Sequence, residues 1–214
     1  MTESISPAAD SEATGQQAEM SRRRPKPGER RVQILQALAS MLEQPGGERV
    51  TTAALAGRLE VSEAALYRHF ASKAQMFDGL IEFIETSIFT LLNQITEREG
   101  SGQAQAQKIV SILLQFGERN PGMTRVMVGD ALVNENERLV ARMNQFFDRI
   151  ESSLRQCLRS AAESAGSDTP TVAANAQASV LVSFIIGRLQ RYARSGFKRE
   201  PTEQMEAALR MLLG

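Results

Sequence analysis

The sequence predicts an all-α protein of about nine helices, with an N-terminal helix-turn-helix domain followed by a larger helical domain. Three observations carry that expectation. From Glu29 onward, apolar residues recur at spacings of three and four. The periodic runs are separated by short breaks rich in Gly, Pro and Ser, such as Pro45-Gly46-Gly47, Gly100-Ser101-Gly102 and Asn120-Pro121-Gly122. No stretch alternates apolar and polar residues as a strand would.

The elements follow in order. Residues 1–27 lack periodicity, are rich in Ser, Ala, Gln, Glu and Pro, and are expected to be a disordered tail ending in the basic run Arg22-Arg23-Arg24-Pro25-Lys26. The first helix carries Val32, Ile34, Leu35, Leu38, Met41 and Leu42 and stops at Pro45. Thr51 or Thr52 caps a short second helix through Leu55 and Leu59, and Ser62 caps a third running to Phe70. Ser72 caps a long fourth helix from Lys73 to about Glu99. A fifth helix spans Gln103 to Arg119, a sixth Met123 to Val133, and a seventh Glu135 to Ala165. An eighth runs from Thr171 to Ser195, ended by Gly196, and Pro201 opens a ninth that reaches Leu213. The domains are thus expected at 28–74 and 75–214, after the 1–27 tail.

Composition excludes several functions. Among 214 residues there is one His and one Cys, too few for a disulfide framework, a thiolate zinc site or a two-histidine metalloprotease motif. Neither a phosphate-binding Gly-rich loop nor a GxGxxG fingerprint is present. The chain is expected to be a cytoplasmic, non-enzymatic protein with no metal, cofactor or membrane span. Lys and Arg total 25, as do Asp and Glu, but the charges are segregated. Residues 1–21 hold four acids and no base, whereas residues 22–73 hold ten bases against five acids. The excess of positive charge points to an anionic partner for the first third.

The second and third helices, joined by Leu59-Glu60-Val61-Ser62, have the form of a helix-turn-helix. Many such turns place Gly near position 60, and a Glu there with positive φ would be strained. On the third helix Leu66 and Phe70 form the packing stripe with Leu55 and Leu59 behind them. Ala64, Ala65, Arg68 and His69 then face outward. The two alanines let the backbone approach base edges, and Arg68 is suited equally to guanine or phosphate. Thr51, Thr52 and Ser62 offer hydroxyls at helix starts, and Tyr67, His69 and Lys73 add further donors for phosphate. The partner implied is double-stranded DNA with a palindromic site.

Thr51-Thr52-Ala53-Ala54-Leu55-Ala56, followed by Val61-Ser62-Glu63-Ala64-Ala65-Leu66-Tyr67-Arg68-His69-Phe70, Ser72-Lys73 and Phe77, resembles the TetR family of repressors. Within that family, Met76-Phe77-Asp78, Leu80 to Glu85 and Phe116-Gly117-Glu118-Arg119-Asn120-Pro121-Gly122 are similar to the nucleoid occlusion factors. That resemblance implies a nucleoid-associated protein that, on chromosomal sites, binds the C-terminal tail of the division GTPase FtsZ and prevents Z-ring assembly over DNA. It also implies a groove between the fourth and fifth helices lined by Phe83, Ile112, Gln115, Arg119 and Asn120. On the residues alone, Phe83 reads equally as core and Asn120 as a helix cap.

The last two helices are expected to build a homodimer through Val180, Leu181, Phe184, Ile185 and Leu189 on one and Leu209 and Leu212 on the other. An alternative is a ligand-responsive repressor with an effector cavity lined by Met127, Phe146, Phe147 and Phe184.

Overall fold

The computed structural model describes residues 28–44, 50–133 and 135–214. The tail at 1–27 with its basic run, and the stop at Pro45-Gly46-Gly47, lie outside the described residues. Among the described residues there are nine α-helices and no strand. They are α1 (Glu29–Leu42), α2 (Thr52–Arg58), α3 (Glu63–Tyr67), α4 (Lys73–Arg98), α5 (Gly102–Arg119), α6 (Pro121–Met127), α7 (Glu137–Ser164), α8 (Pro170–Arg194) and α9 (Met205–Leu213).

Capping explains most boundaries. Thr51, Ser62, Ser72 and Ser101 each accept a bond from a backbone N–H in the first turn of the helix they precede. Two of the boundaries that differ from the sequence expectation trace to left-handed residues. The helix expected over 123–133 is split, because Gly129 adopts a left-handed φ of 80° and a 3-10 turn at Asp130–Leu132 follows. The last helix begins at Met205 instead of Pro201, since Gln204 also takes a positive φ, of 52°.

One core joins the two domains. α1 packs on α2, α4 and α6, so that Ile34, Leu38 and Leu42 meet Leu55, Leu66, Phe70 and Phe77 in a shared buried cluster. The approach of α1 to α6 depends on Gly122, where an added Cβ would lie 2.0 Å from the Ala39 carbonyl oxygen. α7 and α8 form the most extensively packed helix pair, and α5 lies against both. α9 closes over α5 and α8.

α8 is long and apolar enough to cross a membrane by length and composition. Its Ala174, Ala178, Leu181, Val182, Ile185 and Leu189 are instead buried against the rest of the chain. It reads as the core helix of a helical domain.

Candidate nucleic-acid interface and partner groove

The helix-turn-helix is built from short local bonds. The Thr51 hydroxyl oxygen accepts from the Ala54 N–H at 3.1 Å, and that of Ser62 from the Ala65 N–H at 3.3 Å. Each oxygen is used as an acceptor, which leaves its O–H free to donate to a phosphate. The turn closes with the Val61 N–H donating to the Ala56 carbonyl at 3.0 Å. Glu60 takes φ 53°, the left-handed conformation for which Gly is the ordinary choice.

Leu66, Phe70 and Leu55 are buried, while Leu59 is half-buried, as the packing stripe requires. Ala64, Tyr67, Arg68 and His69 are exposed and Ala65 is half-buried. The residues of this segment expected to face DNA are therefore open to solvent, Ala65 in part. α3 is shorter than expected, because the His69 and Phe70 N–H groups both turn back onto the Leu66 carbonyl. The segment to Phe70 is held differently. Arg31 of α1 donates from Nη1 to the His69 carbonyl at 2.7 Å and lies 4.0 Å over the Phe70 ring. Sequence reasoning missed this residue, since nothing in its spacing distinguishes it from the neighbouring bases.

Two expected DNA contacts are engaged within the protein. The Thr52 hydroxyl donates to Glu63 at 2.5 Å and ties the start of α2 to that of α3. The Lys73 ammonium lies 2.5 Å from Glu135, whose side chain is only 8% exposed. The Thr52 hydroxyl must exchange that partner to donate to a phosphate, whereas the Lys73 ammonium has two further N–H donors and must only turn toward it. The Lys73 pair also binds α4 to the approach of α7. Beside it Arg142 of α7 bridges Asp78 at 2.7 Å and Glu85 at 2.5 Å. The bond to Glu85, then that to Asp78, outweigh burial and raise the Arg142 pKa, so this junction stays ionic.

The groove residues lie on two adjacent, packed helices. Phe83 of α4 is 51% exposed, while its neighbour Ile84 is fully buried, so the aromatic ring is outside the core. Ile112, Gln115 and Arg119 fall at i, i+3 and i+7 on α5, half-buried at Ile112 and exposed at the other two. Leu91, farther along α4, is also exposed. The Asn120 side-chain amide donates to the Phe116 carbonyl at 2.7 Å. It thus locks the end of α5, as in the capping alternative, and its side-chain carbonyl oxygen and second N–H are left for a partner.

The expected dimer face divides. Leu181, Ile185, Leu189 and Leu209 are fully buried within one chain, where Leu189 fills the space beside Gly117, so they touch no second copy. Val180 is 50% exposed, and Phe184 and Leu212 are half-buried. The outward side of α8 presents Ala176, Val180, Ser183 and Gly187, a seam of small residues at spacings of four, three and four. The sequence reading took the larger side chains for the interface, although large apolar residues are the ones a core needs first.

The effector-cavity residues pack as core. Met127, Phe146 and Phe147 are buried, and Phe146 meets Phe89 and Phe147 edge-on at 5.6 and 5.1 Å. Phe184 is not among them and carries the Arg188 guanidinium 5.0 Å over its ring.

Comparison with known proteins agrees with this arrangement. Residues 34–80 match the model for bacterial regulatory proteins of the tetR family, and residues 102–214 match a tetracyclin repressor-like C-terminal domain of the SlmA-like type. The nucleoid occlusion factor SlmA of Marinomonas sp. is 51% identical over 178 residues, 83% of this chain and 90% of that protein. Its counterpart in Vibrio vulnificus is 50% identical over 182 residues, 85% of this chain and 92% of the other. The fold is similar to that of a solved TetR-like regulator from Rhodococcus sp. RHA1, with TM-score 0.68 at 19% identity over 89% of this chain and 94% of that one. It is also similar to FadR of Bacillus subtilis, solved with stearoyl-CoA, at TM-score 0.68 and 13% identity over 86% and 97%. At such identities these structures speak to fold alone.

Proposed function

The chain belongs to the TetR family, among the nucleoid occlusion factors of the SlmA type, and from that membership we propose that it is a DNA-bound inhibitor of cell division. The identity of about half the residues across most of the chain carries the reading. It is a DNA-binding protein of the nucleoid that acts as a homodimer. The two recognition segments read a palindrome, with Ala64, Ala65 and Arg68 toward the bases and Thr51, Ser62, Tyr67 and His69 toward phosphate. Thr52 joins them by giving up Glu63, and Lys73 by turning from Glu135 toward the duplex. Two modest half-site affinities multiply when the dimer holds both at once.

We assign the dimer contact to the outward faces of α8 and α9, with Val180, Phe184 and Leu212 around the small-residue seam. Gly187 supports close helix approach, since a Cβ there would meet nothing within 4 Å in the same chain.

On chromosomal sites the protein binds the C-terminal tail of FtsZ in the groove between α4 and α5. Phe83 supplies the apolar contact, Ile112 and Gln115 the floor and wall, and Arg119 a charged end with the Asn120 carbonyl oxygen beside it. Exposed aromatic and arginine side chains are the kind of anchors that dominate small interfaces. The experiment is capture of FtsZ by the full chain with and without a palindromic duplex. Wild type captures FtsZ more strongly with DNA, and Phe83→Ala and Arg119→Asp each lower affinity about tenfold, which is ~1.4 kcal/mol. Unchanged capture by both variants removes the groove.

The ligand-responsive alternative has the fold in its favour. A small molecule that releases this protein from its duplex, with no FtsZ capture, would establish it instead.

A further inference from the structure

The connection between α8 and α9 is a cationic loop outside the residues assigned above to DNA reading and dimerisation. Arg191, Arg194, Lys198 and Arg199 follow one another with no acid between them. Among the described residues none of these four side chains makes a hydrogen bond or ion pair. The backbone beneath them is firmly set. The Ser195 hydroxyl donates to the Tyr192 carbonyl at 2.8 Å and accepts from the N–H groups of Lys198 and Arg199 at 3.1 and 3.0 Å. Phe197 follows Gly196 in a left-handed conformation, φ 63°, and sets its ring edge-on to Tyr192 at 5.2 Å. A non-Gly residue held there signals a loop fixed by its surroundings.

What fixes it is the end of α5. The Tyr192 hydroxyl donates to the Glu118 carbonyl at 3.0 Å, and the Thr202 hydroxyl donates to the Glu118 carboxylate. Glu118 immediately precedes Arg119, the charged end of the proposed groove. The loop is therefore anchored at the same end of α5 that carries Arg119. Arg191, Lys198 and Arg199 line an open cleft of about 660 Å³ together with Glu200 and Glu203.

We infer that this loop extends the partner site, taking an acidic segment of the bound polypeptide that flanks its apolar part in the α4–α5 groove; the inference rests on the groove reading above. Charge complementarity and continuity with Arg119 support a polypeptide. A duplex presents an unbroken row of phosphates and would meet Glu200 and Glu203 as well as the bases. A peptide carries separate carboxylates that can be set against Arg191, Lys198 and Arg199 and away from the two acids. Such contacts at the rim of an interface act through long-range attraction and are sensitive to salt.

The test uses the full chain and labelled FtsZ tail peptides extended at either end by four Asp or, as control, four Asn, with affinity read by fluorescence anisotropy. Wild type binds one of the Asp-extended peptides about fivefold more tightly than its Asn counterpart at low salt, and the preference vanishes at about 0.5 M salt. Lys198→Gln/Arg199→Gln abolishes the preference and Lys198→Glu/Arg199→Glu reverses it, while affinity for the Asn peptides is unchanged. Phe83→Ala weakens all peptides alike. No preference in wild type, or a preference that survives both double variants, overturns the inference. So does a loss of palindrome affinity in the variants with peptide preference intact, which would give the cations to DNA. If Phe83→Ala weakens binding but Asp confers nothing, the groove stands and the loop assignment falls. If Asp is preferred and Phe83→Ala changes nothing, the groove falls and the cationic site stands by itself.

Discussion

Replacing Gly122 by Ala should loosen the joint between the DNA-binding helices and the rest of the chain. The added Cβ would lie 2.0 Å from the Ala39 oxygen, 2.9 Å from the Ala39 carbonyl carbon and 3.2 Å from the Leu42 Cβ. The two shortest contacts are to backbone, so no side chain can rotate away. α1 and α6 must part by about 1.4 Å to bring the 2.0 Å contact to the ordinary van der Waals range. Ala39, Leu42 and Val126 are all buried at or near this joint, so the separation costs packing along the seam. Overpacking of this kind costs about 1–3 kcal/mol, and the backbone clash places Gly122→Ala in the upper half of that range. For a chain of this length each kcal/mol moves Tm by about 2–4 °C, so the expected loss is about 4–12 °C. Gly57→Ala is the control. Its Cβ would meet nothing within 4 Å, and the gain in helix propensity makes it neutral or stabilising by about 0.5–1 kcal/mol. Thermal melts of the two variants beside wild type decide the matter. A Gly122→Ala protein that melts within about 1 °C of wild type would refute the reasoning.

Glu60→Gly should raise stability by about 1 kcal/mol, since φ 53° is strained for Glu and free for Gly; denaturant midpoints would detect it, and a loss of stability would mean that the Glu60 side chain contributes more than its backbone costs. Arg68→Ala should weaken palindrome binding about tenfold and lower the slope of log affinity against log salt by roughly one if the guanidinium meets a phosphate, whereas an unchanged slope with relaxed sequence preference would place it on a base. Tyr192 has its pKa raised, first by burial and then by Glu118, Glu200 and Glu43. A raised folded-state value means that stability is complete below the unfolded tyrosine pKa of about 10 and is lost as pH rises through the folded value. Denaturant midpoints between pH 8 and 11 should therefore fall more steeply for wild type than for Tyr192→Phe, and parallel curves would remove this account.

The fold was legible because helices announce themselves through apolar periodicity and cap chemistry. Ser62 and Ser72 cap as their hydroxyls suggest, and Leu66 and Phe70 are buried as a stripe four residues apart predicts. Phe83 was legible in part, because α4 carries more apolar residues than one face can bury. What the sequence hid were choices between partners that lie far apart in the chain. Lys73 reads as a free base until Glu135, 62 residues away, comes beside it. Arg31 reads as a solvated charge until the His69 carbonyl arrives from 38 residues on. The dimer face was misjudged for a related reason. Periodicity locates the apolar side of α8 but does not tell a core from an interface, and the largest side chains, Leu181, Ile185 and Leu189, go to the core. The small residues left outside carry little hydrophobic signal of their own.

α4 places both proposed binding events on one element. Lys73 opens it at the DNA face, and Phe83 stands ten residues on, about 15 Å along the axis at 1.5 Å per residue. Between them Asp78, and just beyond them Glu85, are clamped to Arg142 of α7, which is itself packed against α8. A phosphate that draws Lys73 from Glu135 would take a cation from a carboxylate of 8% exposure and loosen the tie between α4 and the approach to α7. Duplex binding would thereby be coupled to the position of α4 against α7, and so to Phe83 in the proposed groove. Coupling of this kind is reciprocal: whatever factor the duplex adds to tail affinity, the tail must add to duplex affinity. Measured in both directions at one salt concentration, the two factors should agree within error. Agreement near one, with capture still dependent on DNA, would mean that the duplex acts only by gathering several dimers along its length and that α4 transmits nothing.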